Sequence, residues 1–352
     1  MTPIQFSLQT ESEDSLTLQT VLKVNNFSVS FRSRNAIVRA VNGISLKLDR
    51  GEILCLVGES GCGKSVTAMS LMRLLPQPPA RIYSGSIEFM GHNIMALSNK
   101  EMQKIRGNRI SMIFQSPVTS LNPVLTVGRQ ITEGLEIHLG LSGKEAAKRA
   151  VQILDLVQIP DAKRLMNQRP HELSGGMCQR VMIAAALVSN PDILIADEPT
   201  TALDVTIQAQ ILKLLMDLQK ELNTAVLLIT HDLGVVAETA QRVAVMYAGH
   251  IVEEAGVEEL FADPCHPYTR GLMGSIPRIG RVGRSSQGLQ RLREISGMVP
   301  ALIDEINGCA FAPRCAFSTE RCQAETPELV KINPVHTVAC WEQDKVEAEG
   351  SA

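Results

Sequence analysis

The 352-residue sequence contains no apolar run approaching the roughly 18 residues that a membrane-spanning helix requires. Basic residues are not in excess, since 34 Lys and Arg stand against 37 Asp and Glu and give a net charge of -3. This balance argues against a nucleic-acid partner. Residues 1–19 lack the basic start and apolar centre of a signal peptide, and we expect them to form a disordered tail. Membrane association, if it occurs, is therefore expected to depend on partner proteins.

A glycine-rich loop follows the apolar run 53–57, which predicts a buried strand, and precedes a helix predicted over 65–75. This strand–loop–helix order is the context in which such a loop binds phosphate. Lys64 is then a point charge for the β and γ phosphates of a nucleotide, and Ser65 is a ligand for Mg²⁺. The predicted nucleotide-binding loop consists of Gly58, Glu59, Ser60, Gly61, Cys62, Gly63, Lys64 and Ser65.

A pair of carboxylates ends a second apolar run, 193–196. Ligands bind at the carboxyl ends of parallel strands in open α/β sheets. We therefore expect Asp197 to hold Mg²⁺ and Glu198 to act as the general base that polarises the attacking water. The alternative for Glu198 is that its carboxylate only caps the turn at Pro199.

Two further side chains end predicted strands and are expected to complete the catalytic site. Gln115 follows the run 110–114, and we expect it to contact Mg²⁺ and the attacking water. His231 follows the run 226–230, where a histidine can hydrogen-bond the γ-phosphate and Glu198.

A second glycine-rich turn precedes a helix predicted over 177–188. A helix N-terminus presents free N–H groups and a positive dipole end to an anion. One chain would thus carry two phosphate-binding surfaces and one catalytic carboxylate, which predicts a dimer with ATP held between the two subunits. Asp204 is a candidate for contact across that dimer. The turn consists of Leu173, Ser174, Gly175, Gly176 and Met177.

Taken in order, these motifs resemble the nucleotide-binding subunit of an ABC transporter over about residues 22–275. The resemblance implies an α/β fold, a P-loop NTPase of the ABC type with a β-rich N-terminal part and a helical subdomain. It also implies an aromatic residue that stacks on adenine. Phe31 is the best match, although its alternating neighbours equally suit a core phenylalanine in a strand.

The domain organisation that follows has an ATPase domain over 20–261 and a small, cysteine-containing C-terminal extension over 262–345. The helical subdomain covers about 116–172, and Ser142 with Glu145 predicts a capping box there. We further expect a linker at 279–290 and a tail at 346–352. Strands are predicted near 22–31, 41–48, 53–57, 86–90 and 110–114.

Three segments are similar to the dipeptide and oligopeptide importer ATPases, a group that includes nickel and glutathione importers: 115–123, 203–212 and 266–272. The similarity implies that ATP and Mg²⁺ energise import of peptides or similar solutes. It implies two transmembrane permease subunits, a second ATPase that is identical or related, and an extracytoplasmic solute-binding protein. It places the chain peripherally on the cytoplasmic face of a bacterial inner membrane. Alternatives are a soluble ABC ATPase of repair or translation and a redox-sensing protein.

Four of the eight cysteines lie near the C-terminus: Cys309, Cys315, Cys322 and Cys340. If the chain is cytosolic, a disulfide framework is not expected. Four thiolates suit a [4Fe–4S] cluster or Zn²⁺, and the lack of a C-x₂-C pair weighs against zinc. The resembled importers share this spacing and are associated with an iron–sulfur cluster. The alternative is a set of reduced, partly buried thiols.

Overall fold

The computed structural model describes residues 19–33, 36–201, 203–275, 295–300, 302–303 and 306–350. The predicted N-terminal tail, apart from its last residue, and the predicted linker at 279–290 lie outside these ranges. Within them, no helix is both long enough and apolar enough to cross a membrane.

All five N-terminal strands that the sequence predicts are present, with longer bounds for the first, second and fourth. The strands of the described residues are β1 (Thr20–Arg32), β2 (Ile37–Asp49), β3 (Ile53–Val57), β4 (Ala80–Phe89), β5 (His92–Asn93), β6 (Ile110–Ile113), β7 (Ile193–Asp197), β8 (Ala225–Thr230), β9 (Arg242–Tyr247), β10 (His250–Gly256), β11 (Val330–Asn333) and β12 (His336–Val338).

The stretch predicted to be helical, 116–172, contains four helices and one 3₁₀ turn. The capping box at Ser142 and Glu145 is formed in both directions. A helix lies at 343–350 and crosses the predicted boundary at residue 345 between the extension and the tail. The helices are α1 (Lys64–Leu71), α2 (Asn99–Ile105), α3 (Pro117–Ser120), α4 (Val127–Leu139), α5 (Gly143–Leu156), α6 (Ala162–Leu165), α7 (Gly175–Leu187), α8 (Val205–Leu222), α9 (Leu233–Thr239), α10 (Val257–Ala262), α11 (Pro267–Gly274), α12 (Glu320–Ala324) and α13 (Gln343–Gly350).

The central sheet has the strand order β11-β12-β10-β9-β3-β8-β7-β6, and β9, β3, β8, β7 and β6 run parallel. Every residue of β3 is buried, because successive side chains point into different layers. The odd-numbered residues of β3, 53, 55 and 57, pack with the helical layer. Leu54 and Leu56 pack with the antiparallel sheet β2-β1-β4-β5. The parallel strands therefore lie between two apolar layers and present their carboxyl ends at one edge.

The C-terminal extension adds two strands to this sheet. Strand β12 pairs antiparallel with β10, matching Glu253 to Val338. The buried Glu253 carboxylate accepts hydrogen bonds from the backbone N–H groups of Cys265 at 2.6 Å and His266 at 3.0 Å, and lies 2.8 Å from His336 Nε2. The sequence predicts a small extension beside the ATPase domain, but in the structure β11 and β12 belong to the same sheet as β3, the strand that precedes the phosphate loop.

Candidate functional site

The predicted phosphate loop connects β3 to α1, as its motif requires. Gly58 and Gly63 have positive φ angles, and a Cβ at either position would collide with the backbone oxygen of Met246 or Ala40. The buried Lys64 donates hydrogen bonds to the carbonyl oxygens of Gly58 at 2.7 Å and Glu59 at 3.0 Å. The lysine charge is thus held inside the loop whose backbone N–H groups are suited to phosphate.

The two predicted Mg²⁺ ligands touch each other. Ser65 Oγ donates a hydrogen bond of 3.1 Å to Asp197 Oδ1, although the two residues are 132 positions apart. Burial raises the pKa of the Asp197 carboxyl, while the hydrogen bond from Ser65 opposes this shift. A hydroxyl and a carboxylate are the hard oxygen donors that Mg²⁺ prefers, so these residues fit the ion.

Glu198 is the centre of a hydrogen-bonded group. Its carboxylate accepts hydrogen bonds from Gln115 Nε2 at 2.8 Å and Thr201 Oγ1 at 2.9 Å, and it lies 3.2 Å from His231 Nδ1. Burial alone would raise the pKa of Glu198, but the hydrogen bonds from Thr201 and His231 outweigh it and lower the pKa. The side chain is therefore ionised near neutral pH and able to accept a proton.

Strand order explains why three distant residues converge. Strands β6, β7 and β8 are parallel neighbours, and Gln115, Glu198 and His231 each lie just beyond the end of one of them. Gln115 and His231 are exposed, so this edge of the sheet is open to solvent.

The backbone of Glu198 and the contact from Thr201 go beyond the sequence analysis. Glu198 has a φ of 48°, a left-handed conformation that costs free energy in a residue other than glycine and that is frequent at functional sites. Thr201 is not among the predicted site residues, although its position in the turn that follows the two carboxylates indicates a contact with Glu198. Its hydroxyl bonds the same carboxylate that Gln115 and His231 contact.

The second glycine-rich turn lies at the start of α7. Ser174 Oγ accepts a hydrogen bond of 3.3 Å from the Met177 N–H, so Ser174 is the N-cap. Leu173 and Met177 pack partly against the core, and Gly176 is half-buried. Ser174 and Gly175 are exposed, and a Cβ at Gly175 would meet nothing within 4 Å. The helix N-terminus thus faces open space.

Two predicted contacts have local partners in the structure. Asp204 is the N-cap of α8, and its carboxylate accepts a hydrogen bond of 3.0 Å from the Ile207 N–H. Phe31 lies in β1 and packs, half-buried, against the layer of apolar residues that contains the antiparallel sheet. Contact of Asp204 across a dimer and stacking of Phe31 on adenine stay predictions.

The four C-terminal cysteines line one small pocket, together with Trp341. All are free thiols, and burial raises the pKa of Cys315 to about 11 and of Cys340 to about 12. In a tetrahedral zinc site the sulfur atoms lie about 3.8 Å apart. Among the described residues, no three of these sulfurs lie within 4.8 Å of one another. The sulfur atoms are therefore not arranged as they would be around a single zinc ion.

Comparison with known proteins shows the family to which the chain belongs. A family model described as ABC transporter matches residues 41–201, and one described as Oligopeptide/dipeptide transporter, C-terminal region, matches residues 252–322. The probable peptide ABC transporter ATP-binding protein y4tR of Sinorhizobium fredii is 54% identical over 326 residues, which are 93% of this chain and 96% of that protein. The chain belongs to the ATP-binding proteins of peptide ABC transporters.

Another peptide transport protein and a solved ABC cassette are also similar to this chain. The oligopeptide transport ATP-binding protein OppD of Bacillus subtilis is 51% identical and matches 91% of this chain and 88% of that protein. The solved dimer of the ATP-binding cassette MJ0796 in a post-hydrolysis state, bound to ADP and Pi, has a TM-score of 0.61 at 30% identity and covers 67% of this chain and 98% of the cassette. The family resemblance, the ABC ATPase class and the predicted fold are confirmed.

Proposed function

We propose that this protein hydrolyses ATP to drive the import of dipeptides or oligopeptides through an inner-membrane permease. The observation that carries the ATPase part is the Glu198 carboxylate, held by Gln115, Thr201 and His231 beside the contact between Ser65 and Asp197. The peptide part is supported by the names of relatives at 48–54% identity, including the dipeptide transport ATP-binding protein DppD of Bacillus subtilis.

Each residue of the site has a defined task in the proposed reaction. The phosphate-loop N–H groups and Lys64 bind the β and γ phosphates of ATP. Ser65 and Asp197 would hold Mg²⁺, which neutralises charge on the phosphates when it is bound. Glu198 accepts a proton from the attacking water. Gln115 and His231 orient that carboxylate, and His231 also bonds the γ-phosphate.

A second ATPase subunit, identical or related, completes the site in this proposal. Its Ser174–Met177 turn covers the open edge where Gln115 and His231 are exposed, and Asp204 lies at the same dimer contact. ATP binding favours the closed dimer, and hydrolysis reopens it. Movement passes through the helical segment 116–172 to two transmembrane permease subunits, to which an extracytoplasmic binding protein delivers the peptide.

Affinity purification of the chain from gently solubilised native membranes tests the proposal. We expect two multi-span permease subunits and a second ATPase subunit to co-purify. Peptide uptake by the reconstituted complex should require ATP and should stop when Glu198→Gln replaces the wild-type chain. Recovery of an active ATPase alone, or with ribosomes or nucleic acid, would refute the transport assignment.

We also propose that the four-cysteine pocket holds a [4Fe–4S] cluster. The support is the convergence of Cys309, Cys315, Cys322 and Cys340 on one pocket whose sulfur spacing does not suit zinc. Protein purified without oxygen should contain about four iron and four sulfide ions per chain and absorb visible light. Cys340→Ser should lose iron, and Cys55→Ala, a buried cysteine in β3, should keep it. Stoichiometric zinc, or no metal, would contradict this assignment.

A further inference from the structure

An arginine of the C-terminal extension binds the phosphate loop. Arg314 donates two parallel hydrogen bonds to the carboxylate of Glu59, from Nη1 to Oε2 at 2.7 Å and from Nη2 to Oε1 at 3.1 Å. The pair joins residues 255 positions apart, and the Arg314 side chain is only 6% exposed. A bidentate, largely buried pair of this kind is more strongly oriented than an exposed ion pair.

The guanidinium group of Arg314 is fixed by more than this pair. Its other three N–H donors bond the carbonyl oxygens of Ser296 at 2.9 Å and Ile295 at 3.2 Å and the hydroxyl of Tyr247 at 3.3 Å. Its carbon Cζ lies 5.9 Å from the centre of the Phe311 ring. All five donors of the group have acceptors, so its position is set by the surrounding fold.

Glu59 is held at its backbone as well as its carboxylate. Its N–H donates a hydrogen bond of 2.8 Å to Tyr268 Oη, and its carbonyl oxygen accepts one of 3.0 Å from Lys64 Nζ. A glutamate in a loop that binds a triphosphate adds negative charge next to an anion, which opposes binding. Arg314 compensates that charge and points the carboxylate toward the extension.

We propose that Arg314 is a positioning residue for ATP binding, through which the C-terminal extension holds the phosphate loop in its binding conformation. The inference rests on the nucleotide site proposed above. Arg314 adjoins Cys315, and Phe311, which lines the cysteine pocket, packs edge-on against Tyr247 with ring centres 5.2 Å apart. The segment 309–315 therefore connects the cysteine pocket to the phosphate loop.

Nucleotide titration and steady-state kinetics of the full chain with its partner subunits test this inference. We expect Arg314→Gln to raise the Kd and the KM for MgATP about tenfold and to change kcat less than about twofold. Arg314→Lys should fall between wild type and Arg314→Gln, because lysine keeps the charge but lacks the planar fork. The matched control is Arg321→Gln, which alters an exposed arginine of the same extension and should leave Kd unchanged.

A double-mutant cycle separates positioning from a general loss of stability. When the Glu59 carboxylate is absent, Arg314→Gln should weaken ATP binding less. The Kd of the double variant Glu59→Gln with Arg314→Gln should therefore lie within about threefold of the Kd of Glu59→Gln alone. Three results would each overturn the inference. They are an unchanged Kd in Arg314→Gln, equal increases of Kd in Arg314→Gln and Arg321→Gln, and fully additive changes in binding free energy in the double variant. Failure of the wild-type chain to bind ATP would instead refute the nucleotide site itself.

Discussion

Gln115 Nε2 donates a hydrogen bond of 2.8 Å to Glu198 Oε2, across 83 residues of sequence. The two residues lie just beyond the ends of neighbouring parallel strands, and Gln115 directly precedes the helical segment 116–172. A shift of that segment would therefore move a direct partner of the carboxylate proposed as the general base. This bond connects the proposed hydrolysis site directly to the residue that precedes the segment proposed to contact the permease.

Replacing Glu198 with Gln removes the proposed general base and keeps the size of the side chain. We expect the hydrolysis rate to fall about 10²–10⁴-fold, because a neutral amide does not accept the proton of the attacking water. ATP affinity should be retained, and the dimer should stay closed around unhydrolysed ATP. Phosphate release and size-exclusion chromatography measure these two effects. The control is Glu238→Gln, which alters an exposed glutamate of α9. Turnover at the wild-type rate in Glu198→Gln would contradict the role of Glu198 as general base.

Lys64→Ala tests the phosphate loop. Lys64 is buried and bonded to loop carbonyl oxygens, so its charge is held where the β and γ phosphates are expected. Losing a charge-assisted contact of this kind costs about 1.5–3 kcal/mol, which corresponds to a Kd raised roughly 10- to 150-fold. Calorimetric titration with MgATP measures the change. The exposed Lys213→Ala should bind like wild type, and near-normal affinity in Lys64→Ala would contradict the loop assignment.

Ser174→Arg tests whether the second glycine-rich turn acts on a neighbouring subunit. Ser174 is exposed at the start of α7, so we expect the bulky cation to obstruct the dimer contact and to reduce hydrolysis at least about tenfold. Binding of ATP to the chain's own phosphate loop should be unchanged. Ser142→Arg removes an equivalent N-cap, at a cost of about 1 kcal/mol, from α5. Equal losses of hydrolysis in both variants would show that only the cap matters.

Burial makes the stability of the extension sensitive to acid through His266. Burial lowers the pKa of His266 to about 4, and its Nδ1 accepts a hydrogen bond of 3.0 Å from the Tyr268 N–H. The neutral ring is therefore favoured by the fold, and its stabilising contribution is complete above the unfolded pKa near 6.5 and falls as pH drops toward 4.

We expect the free energy of unfolding to decrease by about 1 kcal/mol from this group between pH 6.5 and 5.5. His266→Asn keeps a side-chain acceptor for the start of α11 but does not titrate, so it should lose this part of the pH dependence. Thermal unfolding of the wild-type protein and of His266→Asn across that pH range measures the effect. The difference between their free energies of unfolding at pH 7.5 is the reference. Identical pH profiles would contradict a buried neutral His266.

The residues of the ATP motifs were predictable because their signals are local. The apolar run before Gly58 and the helix after Lys64 identify the phosphate loop without knowledge of the rest of the fold. The same applies to the strand that ends at Asp197 and to Ser174 as an N-cap. Strand ends alone also brought Gln115 and His231 to Glu198, because parallel neighbours present their carboxyl ends at one edge.

The bounds of the elements and the long-range partners were not predictable in this way. Arg314 bonds Glu59 across 255 residues, a contact that no local sequence pattern indicates. The attachment of the extension depends on the pairing of β12 with β10, and strand pairing between distant segments is set by the whole sheet.

The sequence by itself determined that this chain is an ABC ATPase with a cysteine-containing extension, since its motifs are short segments whose chemistry follows from their residue order. Only the tertiary structure decided that the extension shares the central sheet, that its four cysteines meet in one pocket, and that Arg314 binds Glu59 of the phosphate loop. The physical reason is that these contacts join residues far apart in the chain, and their distances follow from strand register and side-chain packing rather than from local sequence.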